Sequence, residues 1–216
     1  MKKLILVAIL GLAASVSMSA QIFVGGQIGI NAVSTTDKNV NPVATVSNTL
    51  ISLRPNAGYI LNDKMCVGGR LGLEFRSVGA NNNTFGFGLQ PYLRYKVFTL
   101  GKFALAAEAN VGIETRSTTN KIGGVGVNKA SDFNFSLGAV PVLLFQFNEH
   151  IAFEANINVL NFNLGFGSSK ETNTPEGGSP FTIKDESNFN LGLGASSDSV
   201  FAGGIGAIVV GFTYAF

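Results

Sequence analysis

Ten charged side chains fall within strand-like stretches of this 216-residue chain. Arg54, Arg70, Glu74, Arg76, Arg94, Lys96, Glu108, Glu114, Arg116 and Glu154 all lie, at period two, opposite the large apolar residues of their own stretch. Arginines and glutamates in nearly equal number on one face can do one kind of chemistry unaided: they can pair with each other. The expected network sets Arg54, Arg70 and Arg94 against Glu74, Glu108 and Glu154, because a buried charge is tolerated only when it is paired. Glycines on the same face would make room for it. Simple solvation of these charges in a wet interior is the alternative.

Other candidates for chemistry are few. His150, the only histidine, stands beside Glu149 in the turn Asn148-Glu149-His150 and reads as a surface residue, so no catalytic site is expected and the chain is read as non-enzymatic. Cys66 is the only cysteine, which excludes an intrachain disulfide and suits a small strand position. The acids Glu171, Glu176, Asp185 and Glu186 are scattered through polar, Pro/Gly-containing sequence, and no metal site is expected. The run Gly123-Gly124-Val125-Gly126 lacks the strand-then-helix setting that phosphate binding requires, so no cofactor is expected. A net charge of +2 without a basic cluster points away from nucleic acid.

The elements that must carry the ten charges are strands. Charged residues are only 13% of the chain and mean hydropathy is +0.31, with 27 Gly and 18 Phe. Yet beyond residue 20 no apolar run approaches the length of a spanning helix. The apolar residues are interleaved instead. Alternation predicts eight strands, at about 21–32, 50–61, 65–76, 84–98, 103–116, 132–147, 151–166 and 205–216. Stretches 34–49, 77–83, 117–131 and 167–187 read as loops, and the connections alternate long and short. The seventh strand changes phase between Val159 and Leu160, as a β-bulge would make it do. Residues 188–195 read either as part of the last loop or as a bulged upper half of the eighth strand.

Both ends of the chain carry information. Met1-Lys2-Lys3, an apolar stretch from Leu4 to Val16, and Ser17-Met18-Ser19-Ala20 read as a secretory signal peptide over 1–20, cleaved after 19 or 20. The last strand sets Ile208, Val210, Phe212, Tyr214 and Phe216 against Ala207, Val209, Gly211, Thr213 and Ala215. One face is large and aromatic, the other small, as for a strand between lipid and a narrow lumen.

A charge facing lipid at mid-bilayer costs roughly 2–4 kcal/mol for Arg or Lys, which explains why the charges keep to one face. A soluble lipocalin-like cup would put Arg and Glu in its core and Phe in water, and the chain has no Trp for that family's Gly-X-Trp pattern. The fold class is therefore all-β: an eight-stranded, antiparallel, up-and-down transmembrane β-barrel over 21–216, behind the signal peptide. An interior of this size is just wide enough for side chains to fill it, so an open diffusion pore is not expected.

The signal peptide, the alternation through 21–216 and the ending Gly-Phe-Thr-Tyr-Ala-Phe together resemble the small outer-membrane β-barrel domain proteins, OmpA/OmpX-like eight-stranded barrels of the type common in Bacteroidetes. The resemblance implies a bacterial outer-membrane location with both termini in the periplasm. It also implies that Phe212, Tyr214 and Phe216 form an insertion signal. The implied partners are outer-membrane lipids and, during biogenesis, the barrel-assembly machinery, with the barrel itself a monomer. The expected role is structural, in the envelope, with loops exposed at the surface. Adhesion or host interaction through those loops, with an extracellular ligand the sequence does not name, and a narrow gated channel for small solutes are the alternatives.

Overall fold

A computed structural model describes residues 21–37, 44–79, 81–122, 126–157, 162–175, 178–193 and 208–216. The signal-peptide stretch 1–20 lies outside the described residues, as do Gly123, Gly124, Val125, Val159, Leu160 and Glu176. The strands are β1 (Gln21–Asp37), β2 (Ala44–Asn62), β3 (Met65–Val78), β4 (Asn82–Leu100), β5 (Phe103–Ile122), β6 (Gly126–Gln146), β7 (Ile151–Ile157), β8 (Phe162–Pro175), β9 (Phe181–Leu193) and β10 (Ile208–Ala215). They form one antiparallel sheet in which β10 pairs back onto β1, closing the barrel.

Ten segments make eight barrel strands, with residues 158–161 and 194–207 outside the described residues. β7 and β8 both pair with β6, end to end, and form the seventh; β9 pairs with β8 and β10 with β7, forming the eighth. Between the pairs Val142–Asn156 and Ala139–Phe162, β6 advances three residues and the seventh strand six. An odd excess of residues flips the outward phase from Phe153 on β7 to Phe162 and Phe166 on β8. Residues 188–193 belong to the upper part of the eighth strand, since Asn188 pairs with Gly167 and Leu193 with Phe162.

Closure fixes the tilt. From Phe23 the pairing runs through Gly58, Gly68 and Tyr92 to Asn110, and from Gly26 it runs the other way round through Phe212, Phe153 and Phe145 to Phe103. Allowing for the three residues from Phe23 to Gly26, the two circuits end ten residues apart. A stagger of that size around eight strands tilts them by roughly 40°. The outward face of β4 runs from Phe85 to Tyr95, ten residues, or roughly 25 Å along the barrel axis at that tilt.

Three tight turns lie at one end, and a further tight connection, with Gly79 at φ of 60°, joins β3 to β4 at the other. Asn62 Oδ1 accepts hydrogen bonds from the backbone N–H of Lys64 and Met65, both at 2.9 Å, and Asn148 Oδ1 does the same for His150 and Ile151 at 2.9 and 2.7 Å. Gly101 turns β4 into β5 with φ of 57°, the left-handed conformation glycine adopts without strain.

At the opposite end the structure corrects the sequence reading. Much of 34–49, 77–83, 117–131 and 167–187, read as loops, is paired strand: β1–β2 stay in register to Asp37–Ala44, β3–β4 to Val78–Asn82 and β5–β6 to Ile122–Gly126, while β8–β9 pair to Asn173–Phe181 across a register shift at Glu171 and Thr172. These ribbons run past the apolar band, so both faces can be polar and the apolar alternation that marks a strand elsewhere is missing. Ser, Thr and Asn pairs across the ladder hold them, as where Thr84 and Thr118 hydroxyls meet at 2.9 Å.

The polarity is that of a protein turned inside out. Arg54, Arg70, Glu74, Arg94, Glu108, Glu114 and Glu154 are buried, whereas Phe87, Phe133, Phe166, Phe212 and Leu137 are exposed. So large a contiguous apolar surface requires lipid around it. Among the described residues the outward face carries charge at Lys121, Lys129, Lys170 and Asp185, all on the ribbons beyond the aromatic residues.

Candidate functional site

The site is the lumen, which holds an apolar cluster and an ionic network. Toward the turn end, Ala104 and Ala106 of β5 and Val140, Val142 and Leu144 of β6 form a buried apolar cluster. Phe23 of β1 is buried as well. Beside these, a cavity of about 200 Å³ opens toward the turns, lined in part by Phe23, Cys66, Arg94, Leu144 and His150.

Interleaved with this cluster is an ionic network, in which Glu108 pairs in register with Val140 and Glu154 with Leu144. Arg70 of β3 donates to both oxygens of Glu108 on β5, at 2.6 and 2.5 Å, and to Gln90 Oε1 at 2.9 Å. Arg94 of β4 donates to Glu108 Oε2 from Nη2 at 2.8 Å and Nε at 3.1 Å, and to Glu154 Oε2 of β7 at 2.8 Å. Gln27 of β1 completes the chain by donating to Glu154 Oε1 at 2.7 Å. Arg94 and Glu154 stand on strands separated by β5 and β6, so the bridge crosses the lumen. The guanidinium carbons of Arg70 and Arg94 lie 4.2 and 5.3 Å from the centroid of the Tyr92 ring.

The structure thus brings together four of the six residues picked from the sequence, Arg70, Arg94, Glu108 and Glu154. Glu74 lies 3.2 Å from Arg116 and 3.8 Å from Arg76 instead of pairing with Arg54. Arg54 is 2% exposed, and its Nη2 donates to Ser52 Oγ at 3.4 Å. Arg54 stands on β2 diagonal to Glu74, whose direct neighbour there is Ser52, but the Glu74 carboxylate reaches past Gly86 of β4 to Arg116 on β5.

Gln27, Gln90 and Tyr92 were missed as members of this network. Their alternation places them on the inward face, but Gln and Tyr do not stand out there as a lone charge does. Tyr92 fits because Gly68 faces it: a Cβ at Gly68 would lie 2.7 Å from both Cζ and the hydroxyl of Tyr92. Asn134 is a further addition, donating to Glu114 Oε1 at 2.9 Å.

His150 has a structural contact the sequence did not foretell. Its Nδ1 lies 2.9 Å from the Ala215 carbonyl oxygen, and its ring stacks on Tyr214 at 5.7 Å between centroids. Tyr214 in turn meets Phe216 edge-on at 5.0 Å, and the Phe216 N–H donates to the Ile22 carbonyl at 2.9 Å. Phe212, Tyr214 and Phe216 all face outward. Cys66 is a free thiol paired in register with Arg94. Glu171 pairs in register with Lys184, whose ammonium meets Glu186 at 2.8 Å, while Asp185 lies outward. Among the described residues no three His, Cys, Asp or Glu side chains are grouped closely enough to hold a metal.

Closed antiparallel pairing, an apolar exterior and a lumen filled by ion pairs define an eight-stranded transmembrane β-barrel, the architecture of the OmpA/OmpX-like proteins. The fold is similar to that of Neisserial surface protein A (NspA), with a TM-score of 0.48 and 10% identity over 92% of this chain and 99% of that one. It is also similar to a major outer membrane protein from Thermus thermophilus, with a TM-score of 0.45 and 10% identity over 92% of this chain and 100% of that one. No family model and no curated protein sequence matches the chain.

Proposed function

We propose that this chain is an integral outer-membrane barrel with a structural role in the envelope, non-enzymatic, with its turn end and both termini in the periplasm and its long ribbons at the cell surface. The observation that carries this reading is the Arg70–Glu108–Arg94–Glu154 bridge, which fills the lumen with side chains held by charge-assisted hydrogen bonds. Breaking such a bridge leaves a buried ion without a partner, so a plug of this kind resists opening. The long β1–β2, β5–β6 and β8–β9 ribbons lie at the end opposite the Asn62, Gly101 and Asn148 turns, which supports the orientation, since outer-membrane barrels carry their longer excursions on the extracellular side. In that orientation Phe212, Tyr214 and Phe216 lie at the periplasmic rim, a position suited to being read by the assembly machinery.

The test is planar-bilayer recording of the refolded protein. Silence under applied voltage supports the structural reading, while reproducible conductance steps would replace it with a narrow channel.

A second reading, interaction with an extracellular partner, draws on one observation. Phe181 and Ile183, both about half exposed, stand near the tip of the β8–β9 ribbon, beyond the aromatic residues Phe166 and Phe189. Large apolar side chains at such a position are candidates for contact with another molecule.

A further inference from the structure

The lysines on the outward face are grouped. Thr119 pairs with Lys129 and Lys121 with Val127, so Lys121 and Lys129 are diagonal neighbours across β5–β6. Likewise Ser131 pairs with Lys170 and Lys129 with Thr172, so Lys129 and Lys170 are diagonal neighbours across β6–β8. Diagonal pairs lie within reach of long side chains. All three lysines are exposed, and the one outward acid near them is Asp185, opposite Lys170. Three ammonium groups therefore face one carboxylate on a single side of the barrel.

Their height is as particular as their grouping. Lys129 lies four residues beyond Phe133 on β6, and Lys170 four beyond Phe166 on β8. At the strand tilt derived above, each step places the lysine on the order of 10 Å past the aromatic residue along the barrel axis. The headgroup layer extends roughly 5–7 Å beyond the hydrocarbon on each side, and a lysine stem can lean back into it. The lysines thus ring the level at which lipid phosphates lie, with Phe133, Phe166 and Phe189 exposed beneath them at the level of acyl chains.

We propose that Lys121, Lys129 and Lys170 form a binding site for the phosphate of a lipid headgroup, with the lipid's acyl chains against Phe133, Phe166 and Phe189. The site rests on the reading that the barrel is embedded in a bilayer. Ammonium groups suit it because they act as compact charges on flexible stems and can converge on one phosphate from three strands. Because the site is exposed, its attraction is screened by salt.

The test uses the full mature barrel in neutral phosphatidylcholine nanodiscs doped with phosphatidic acid, compared with discs doped with uncharged diacylglycerol. Phosphatidic acid retained on the protein after extraction into neutral detergent is counted by native mass spectrometry. Lys121→Gln/Lys129→Gln/Lys170→Gln should weaken retention about tenfold. A control of equal charge loss, Lys64→Gln/Lys102→Gln/Lys184→Gln, should retain phosphatidic acid as the parent does. Equal loss in both variants, no preference for phosphatidic acid in the parent, or equally effective displacement by inorganic phosphate would overturn the site. Heat-modifiable migration of each variant reports its folding, and Lys129→Gln alone, which removes the central lysine, should give an intermediate loss. A parent that remains soluble without detergent would instead overturn the membrane reading on which the site rests, so the two failures are told apart.

Discussion

Arg70 and Glu108 share a bidentate ion pair, with Nη1–Oε1 at 2.6 Å and Nη2–Oε2 at 2.5 Å, in which the guanidinium is 2% exposed and the carboxylate fully enclosed. Arg94 shares the same carboxylate. Glu108 therefore bridges two buried cations, with Glu154 on Arg94 supplying the second balancing charge, and its replacement by glutamine keeps the shape while removing the charge. Glu108→Gln should destabilise the barrel by about 3–5 kcal/mol, measured by urea unfolding in lipid vesicles. Arg70→Met combined with Glu108→Gln should cost less than the two single changes added together. Additive costs would mean that the pair contributes nothing beyond packing.

Leu137 and Ser131 lie on the same outward face of β6, six residues apart, one within the apolar band and the other beyond Phe133. An arginine at Leu137 should cost roughly 2–4 kcal/mol, whereas one at Ser131 should cost about 0–1, because the penalty follows depth in the bilayer. Refolding yield into vesicles is the measurement, and similar yields for the two variants would contradict the band as drawn.

Glycine at position 68 leaves the room that the Tyr92 ring occupies. Gly68→Ala should destabilise the barrel by about 1–3 kcal/mol through overpacking. In a Tyr92→Ala background the same substitution should cost clearly less, since the ring it strikes is gone. Thermal unfolding in micelles of the four proteins in the cycle reads this directly.

Phe216 ends the last strand with its N–H on Ile22 and its ring against Tyr214. Deleting it should reduce outer-membrane insertion in cells, with the protein accumulating and being degraded in the periplasm. Refolding into detergent should be nearly normal, since a terminal aromatic contributes at most about 1.5–3 kcal/mol and less at an interface. Parent levels of the deletion variant in the outer membrane would show that the ending carries no address. Val210→Asp should harm both insertion and refolding, because it sets a charge against lipid on the closing strand.

The sequence by itself determined the strands that cross the apolar band, their phases and the inward placement of every charge within it. The cause is local: period-two alternation needs no knowledge of partners, and lipid penalises each outward charge separately. Even the flip between Phe153 and Phe166 was legible, because an odd insertion reverses alternation along one strand. The ribbons were not legible. Once β5 and β6 leave the band, Ser117, Thr118 and Thr119 can face water on either side, and pairing across the ladder alone makes them strand. Nor could alternation choose partners within the lumen. It assigned Arg54 and Glu74 to one interior, but the register of β3, β4 and β5 decided that Glu74 meets Arg116 past Gly86, and the ten-residue stagger of the closed barrel that Arg94 reaches across to Glu154. That stagger is a property of the closed ring, set by the summed register of all eight strands, and no single stretch of sequence contains it.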